Sequence, residues 1–349
     1  MDFTPLIMWL GFGMSAYAVV GNDVIQTLGT FLTSNENDTS WGVLWLFAAA
    51  IVTIVLTLGW FDPFDVYNYS RGVAYGRLDD FEMPEIYTWH YLLPPLVLII
   101  ITRFGIPVST TFMILALFTL DRVPNNANEI VSSLLSDDSM SGEMIRKSFF
   151  GYIIAFLFAI IVFLVISQLT EKYFMNNKIT EKERPFWKTA QWTITGFLWW
   201  QWLTQDLANI YIFLKGGDGK SDVIFLTSLV LILVLLAFVF KRKGGEVQKM
   251  VRKKINTTDI RSATFIDLIY GLTLYAFKDD YFGLWGAKIP MSTTWLFVGL
   301  LAGREIAIKI NLEGKVSKET TRMLLADLSK IVIGLIVSIL LVILIKIIQ

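Results

Sequence analysis

Cysteine is absent from the 349-residue chain, and histidine occurs once, at His90. The first absence excludes a disulfide framework and any thiolate metal centre; the second leaves too little imidazole for a histidine metal cluster. Net charge is missing too, with 30 Lys and Arg set against 30 Asp and Glu. Such a chain has no general attraction for nucleic acid, and no basic run is interleaved with stacking aromatics as single-strand binding requires. No Gly-x-x-x-x-Gly-Lys-Ser/Thr loop occurs, so energy for any work must come from gradients rather than nucleotide. Ser109 and Ser292 are imaginable nucleophiles, but a serine needs an adjacent base and His90 has no identifiable acid partner. The chain is therefore read as a non-enzyme without an organic cofactor.

What the chain has is apolar length. Hydrophobic residues make up 54% of it and the mean hydropathy is +0.57, more than a soluble globular chain carries. The windows Trp41 to Trp60, Phe149 to Thr170, Val223 to Phe240 and Ile331 to Ile348 are each long enough to cross a hydrocarbon core of roughly 30 Å. The expectation is an all-α, multi-pass protein of the plasma or inner membrane. Met1 to Val20 lacks a basic n-region and a small-residue cleavage motif, so it reads as part of the first mature helix.

Polar residues recur within this apolar background. Asn22-Asp23 and Pro107-x-Ser109-Thr110-Thr111 have counterparts 183 positions later at Gln205-Asp206 and Pro290-x-Ser292-Thr293-Thr294. Trp9 with Trp192 and Gly13 with Gly196 keep the same offset. Separated stretches in one register argue for duplication. A repeat in a membrane protein usually marks a transporter whose site lies near the bilayer midplane between the halves.

Charge suggests how the halves are related. Residues 61–88 carry six acids and two arginines, whereas the equivalent stretch 241–261 carries eight bases and two acids. Because Lys and Arg concentrate on the cytoplasmic side, the halves are expected to sit upside-down relative to each other. Alternating sides along the chain puts residues 34–41, 172–188, 241–261 and 304–330 inside, with 19 Lys and Arg. The expected organisation is a first inverted repeat over residues 1–171, a cytoplasmic linker over 172–188 and a second repeat over 189–349. Each repeat would hold about five membrane segments, some broken or re-entrant. Trp89 to Arg103 and Pro107 to Leu120 are short for a span and read as tilted helices or a re-entrant hairpin.

The polar residues define a candidate site. Gly21 and two strong capping residues, Asn22 and Asp23, inside an apolar stretch predict that one helix ends and another starts near Val24. Free backbone N–H groups and a positive dipole end would then lie at membrane depth. In the second half Thr204-Gln205-Asp206-Leu207 lacks the glycine but keeps the acid and amide. Gln26 and Asn209, four residues beyond Asn22 and Gln205, face the same side on helices. Pro107 and Pro290 suit a first helical turn, and the hydroxyls of Ser109, Thr110, Thr111, Ser292, Thr293 and Thr294 can donate to an oxyanion or accept from a cation. A buried aspartate repels an anion and is costly at a helix centre. The arrangement makes sense if Asp23 and Asp206, with Gln26 and Asn209, take a sodium ion or a proton. Asn22, Gln205 and the hydroxyls then hold the anion.

At these motifs the chain resembles the PiT family of inorganic phosphate transporters, whose pattern is Gly-x-Asn-Asp-Val-Ala-Asn and later Pro-x-Ser-Thr-Thr-His in each half. Here the first motif stands as Gly21-Asn22-Asp23-Val24-Ile25-Gln26 and Gln205-Asp206-Leu207-Ala208-Asn209. The second ends in Phe112 and in Trp295 where the family has histidine. The resemblance spans both halves and implies symport of phosphate with sodium or protons by two inverted repeats, with the bilayer and inorganic phosphate as partners and a homodimer left open. Sulfate transport and a non-transporting or channel-like relative are the alternatives.

Outside the motifs, Arg304 and Glu305 align with Asp121 and Arg122 and are candidates for pairing across the repeats. Arg103 is placed at a tip as an anion attractor or a snorkelling anchor. Trp202 is placed beside Asp206, where it would narrow a substrate path. The stretch from Gly244 to Arg261 reads as a basic amphipathic helix on the inner membrane surface.

Overall fold

Among the described residues, twelve α-helices follow from where the apolar runs are and what stops them. The computed structural model describes residues 3–61, 73–79, 81, 83–84, 86–103, 108–119, 126–136, 139–166, 173–174, 177–214, 221–243, 259–278, 283 and 289–348. Among these the helices are α1 (Thr4–Asn35), α2 (Trp41–Phe61), α3 (Leu93–Arg103), α4 (Thr110–Phe118), α5 (Ala127–Leu135), α6 (Met140–Ile166), α7 (Arg184–Asp206), α8 (Ala208–Tyr211), α9 (Asp222–Lys241), α10 (Ile260–Lys278), α11 (Thr293–Glu313) and α12 (Lys318–Ile348). No strand occurs among the described residues.

Five helices are long and apolar enough to cross a membrane: Thr4–Asn35, Trp41–Phe61, Met140–Val165, Asp222–Lys241 and Lys318–Ile348. Their outer faces carry large apolar side chains such as Leu46, Ile161, Val223 and Leu340, each more than half exposed. Apolar surface on that scale is tolerated against lipid, so this is a membrane-embedded protein. All four apolar windows fall on these helices, although Phe149 to Thr170 overruns the end of α6, and residues beyond 166 lie outside the described ones. The short segments are found as α3, which follows a 3₁₀ turn over Trp89–Leu92, and as α4, and the two pack on each other.

Residues at the repeat offset begin the same elements. α4 starts at Thr110 and α11 at Thr293, each capped by a serine whose hydroxyl accepts from the amide three residues on. Helices near the same 183-residue offset also meet one another head to tail. The C-terminal end of α1 touches the N-terminal end of α7, with Asn35 Nδ2 donating to Gln191 Oε1 at 2.7 Å. Its N-terminal end meets the helix after α7, where the Phe12 and Tyr211 rings lie 5.2 Å apart. α2 and α9 likewise run antiparallel: Trp45 Nε1 donates to the Leu233 carbonyl at 3.1 Å, and Trp60 packs on Phe225.

Packing across the halves is close. α11 lies along α6 and α4 along α12, so each Ser-Thr-Thr helix leans on the closing helix of a half. Gly299 and Gly303 face α6, where a Cβ would run into the carbonyls of Tyr152 and Phe156. This small-residue spacing lets two backbones approach as membrane helices often do. α11 ends at Gly314, whose φ of 70° belongs to the left-handed region and whose N–H closes the helix by donating to the Ile310 carbonyl.

Two expectations about helix ends are corrected. α1 is unbroken from Thr4 to Asn35, so no helix starts near Val24. Asn22 and Asp23 do not cap: Asn22 is held by Asp23, Gln26 and the Val108 carbonyl, and Asp23 by Thr110 and Thr294 of two other helices. Gly21 sits in regular helix, at a cost of about 1 kcal/mol relative to alanine. Pro290 is not in the first turn of α11 but two residues before its cap, Ser292. Pro107, Asp121, Arg122 and most of the basic stretch after Gly244 lie outside the described residues, as do Lys172, Met175 and Asn176 of the linker.

Candidate functional site

The two copies of both motifs converge on one buried cluster. All twelve residues picked out from the sequence are at most 4% exposed: Asn22, Asp23, Gln26, Ser109, Thr110, Thr111, Gln205, Asp206, Asn209, Ser292, Thr293 and Thr294. α1 and α7 cross here, and α4 and α11 point their N-termini at the crossing.

Asp23 is saturated with donors. Thr110 Oγ1 donates to Oδ2 at 2.5 Å, Asn22 Nδ2 to Oδ1 at 2.7 Å, and Thr294 Oγ1 to Oδ1 at 3.5 Å. One acid from α1 thus holds the first turns of α4 and α11, one from each half. Asn22 also donates to the Val108 carbonyl at 3.2 Å, and its own oxygen accepts from Gln26 Nε2 at 3.2 Å. The expected shared face of Asn22 and Gln26 is therefore a direct contact.

Asp206 is served differently. Its Oδ1 accepts from Asn209 Nδ2 at 2.9 Å. Thr293 stands beside it, yet no hydrogen bond reaches the buried Oδ2. The oxygens Oδ1 of Asn209 and Oε1 of Gln205 are also buried without a donor. Gln205 turns its amide away to the Leu274 carbonyl at 3.4 Å, so it does not pair with Asn209 as Asn22 does with Gln26. Asn209 instead reaches across to Thr110 and Thr111 at 3.1 and 3.3 Å. Each buried acceptor left without a donor costs about 1–3 kcal/mol, and three occur in consecutive turns of one chain segment.

The break expected in the first half is found in the second. α7 stops at Asp206, a single turn residue, Leu207, follows, and α8 runs only from Ala208 to Tyr211 before the backbone tightens into a 3₁₀ turn. Asn209, just past this turn, is the residue that reaches the threonines. No glycine is needed, because Leu207 keeps right-handed helical angles.

Within the Ser-Thr-Thr motifs the hydroxyls divide their work. Ser109 and Ser292 cap their helices, accepting from the amides of Phe112 and Trp295 at 3.2 and 3.3 Å. Thr110 and Thr294 face Asp23, while Thr111 donates to the Met291 carbonyl of the other copy at 3.2 Å. Phe112 and Trp295 meet edge to face with centroids 5.6 Å apart, directly behind the threonines. Trp202, expected on the substrate path, is buried in a stack with Trp199 at 4.8 Å and serves as packing.

Three residues at or beside the cluster have no mark in the repeated motifs. Tyr270 of α10 donates to the Thr293 carbonyl at 3.4 Å and lies within electrostatic reach of both acids. Arg77, 5% exposed, brings its positive charge to Asp206 from the turn over residues 73–79. That turn belongs to an acidic loop in the sequence; the alternation of Val73, Ala74, Tyr75 and Leu78 with Arg77 is the signal of its burial, and Tyr75 anchors it by donating to the Val55 carbonyl at 2.8 Å. Asp267 is the third. His90 is remote, partly exposed and hydrogen bonded to Thr88. Arg103 is exposed at the end of α3, and Arg304 lies buried over the Phe163 ring.

No group of three or more metal-ligating His, Cys, Asp or Glu side chains occurs among the described residues. No family model, curated protein or solved structure matches this chain.

Proposed function

We propose that the protein is a secondary transporter that moves an inorganic oxyanion, phosphate before others, together with sodium or a proton. The observation that carries this reading is the buried cluster itself. It gathers both acids and both Ser-Thr-Thr turns at the crossing of two equivalent helices, and it leaves three acceptor oxygens unserved on one side. A dry polar cluster with spare acceptors is built for a cation, and Asp206, Asn209 and Gln205 supply its oxygens. On the other side, the N-termini of α4 and α11 favour an anion by their dipoles. Cation and anion would neutralise each other in one occluded site, as symport requires.

The antiparallel meeting of α1 with α7 and of α2 with α9 supports two repeats related by an axis in the membrane plane. So does the contact of Phe112 with its counterpart Trp295. Phosphate is preferred over sulfate because it alone keeps a proton to share with Asp23 or Asp206 near neutral pH. The aromatic pair in place of two histidines favours a second reading, transport of a different oxyanion such as sulfate or loss of transport altogether.

Radiolabelled phosphate uptake into proteoliposomes of the purified protein tests this. The expected result is accumulation driven by an inward sodium or proton gradient, blocked in Asp206→Asn and in the Asp23→Asn/Asp206→Asn double variant. Competition by sulfate without phosphate accumulation would move the substrate to another oxyanion. Gradient-dependent uptake that survives in the double variant would remove the acids from the coupling role.

A further inference from the structure

Asp267 is an acid buried in the helical core outside both repeated motifs. It lies mid-way along α10 and is 1% exposed. Thr30 of α1 donates to its Oδ1, and Thr195 of α7 donates to its Oδ2 at 2.6 Å. One carboxyl thus joins a helix from each half to α10.

The charged groups on the elements packed against α10 are occupied elsewhere or distant along the helix. α1 contains no Lys or Arg. On α7, Arg184 and Lys188 sit near the N-terminus and reach Asp38 and Thr39. Arg261 of α10 itself is held by Asp259 and by the carbonyls of Phe174 and Asn177, and Lys278, at the far end, lies over Tyr275. Lys147 of α6 donates to the Ile289 carbonyl, and Arg146 pairs with Glu143. Arg304 of α11 stands over Phe163. Among the described residues no ion pair reaches Asp267.

An ionised carboxylate in a dry core without a countercharge is costly, so its charge must be balanced by something mobile. A hard metal ion takes about six oxygens or more, and only two hydroxyls face this carboxylate. A proton needs none.

The place of Asp267 gives such a proton somewhere to go. Asp23, Thr27, Thr30 and Ser34 follow at spacings of three and four residues and form one stripe along α1. The stripe leads from the central cluster through Asp267 to Ser34, which accepts from Gln191 Nε2 at 2.5 Å beside Asn35. Just beyond lies the half-exposed pair Arg184 and Asp38. In the opposite direction the same face of α1 carries Val19, Ala16 and Phe12. There Phe12 packs on Tyr211, and nearby Phe213 packs on Phe118, all four rings buried. Along α1, polar groups therefore line the way out on one side of the central cluster and apolar groups the other, and the polar side is the exit open to a proton.

We propose that Asp267 is a proton-carrying site on the polar exit, loaded from water at the Ser34–Gln191 end and exchanging with the central acids. A proton adds to a carboxylate oxygen of Asp267 to form an O–H bond. It leaves as that bond breaks, passing to a carboxylate oxygen of Asp23 or Asp206 or back to water. The purpose of this site rests on the transport reading; its detection does not.

The test combines infrared spectroscopy of the full chain in nanodiscs with vesicle transport. In the wild type, a carboxylic-acid C=O band that Asp267→Asn deletes is expected to vanish reversibly as pH is raised. Thr195→Val, which keeps the acid, should shift that loss to higher pH, because a donor to the ionised form is gone. No band dependent on Asp267, or one that persists at every pH, overturns the proposal. In proteoliposomes, Asp267→Asn should retain exchange of internal for external phosphate and lose at least tenfold in accumulation driven by a pH gradient; unchanged accumulation overturns the carrier role. Wild-type vesicles that take up no phosphate would sink the transport reading, whereas the infrared band would still decide whether Asp267 takes up and releases a proton.

Discussion

Asp23 and Asp206 stand 183 residues apart in equivalent positions of a repeated pattern, yet their surroundings differ in kind. Asp23 sits in an unbroken helix and accepts from three side chains that belong to α1, α4 and α11. Asp206 sits at a helix break, accepts from its neighbour Asn209, and keeps a buried oxygen unserved. A fully bonded acid in a helix crossing acts as a clamp, since three donors lose their partner if it goes. An acid with spare lone pairs beside two other spare oxygens is poised to take something up. Two chemically alike motifs thus meet different surroundings, and packing leaves one acid fully bonded and the other with a spare oxygen.

Exchanging the two acids separately should break the comparison most sharply. Asp206→Asn is expected to lose more than tenfold in phosphate uptake while leaving the thermal unfolding midpoint in detergent near the wild-type value. Asp23→Ala should strip three buried donors and lower stability by about 1–3 kcal/mol for each group left unserved. Equal midpoints for both variants would mean that the clamp is not a clamp.

The interfaces behind the two Ser-Thr-Thr helices offer the next test. A Cβ at Gly303 of α11 would collide with the Phe156 carbonyl, whereas one at Gly334, where α12 meets Val108, would find its nearest atoms at 3.5 Å. Gly303→Ala is therefore expected to cost about 1–3 kcal/mol by overpacking two backbones. Gly334→Ala should be neutral within measurement, by the same unfolding assay.

The mates Gln26 and Asn209 differ by less. Asn209→Ala removes bonds to Thr110, Thr111 and Asp206, and Gln26→Ala removes one bond to Asn22. The first should cost about 2 kcal/mol and the second about 1. A double-mutant cycle of Asn209 with Thr110 should return a coupling near 1 kcal/mol; no coupling would detach α8 from the first-half motif. Smallest of all is Gly21→Ala. A Cβ there meets nothing within 4 Å, so in a continuous α1 it should stabilise by about 0.5–1 kcal/mol. Destabilisation would show that the glycine serves a conformation other than this one.

Much of the site was legible because polar side chains are expensive in an apolar run and therefore stand out. The twelve residues were found from register and composition, and the structure brings all twelve into one core. Helix ends were less legible. Gly-Asn-Asp reads as a stop by local preference, but in α1 the side chains that would cap are claimed by Val108, Thr110 and Thr294. Thr-Gln-Asp-Leu carries no stop signal, and α7 ends there nonetheless. Arg77 was hidden for a related reason. An acidic, glycine-bearing stretch looks solvated until the fold inserts its turn beside Asp206.

By itself the sequence determined that the chain lives in a membrane, that it is helical, and which polar residues recur at one fixed offset along it. Those conclusions rest on quantities carried along the chain: apolar length, spacing and the cost of a polar group in hydrocarbon. The tertiary structure alone decided which acid is saturated, where α7 ends, and that Asp267 and Arg77 are buried. Each of these depends on what a side chain meets across a helix crossing, and residues such as Thr30 and Asp267, 237 positions apart, meet only once the chain has packed.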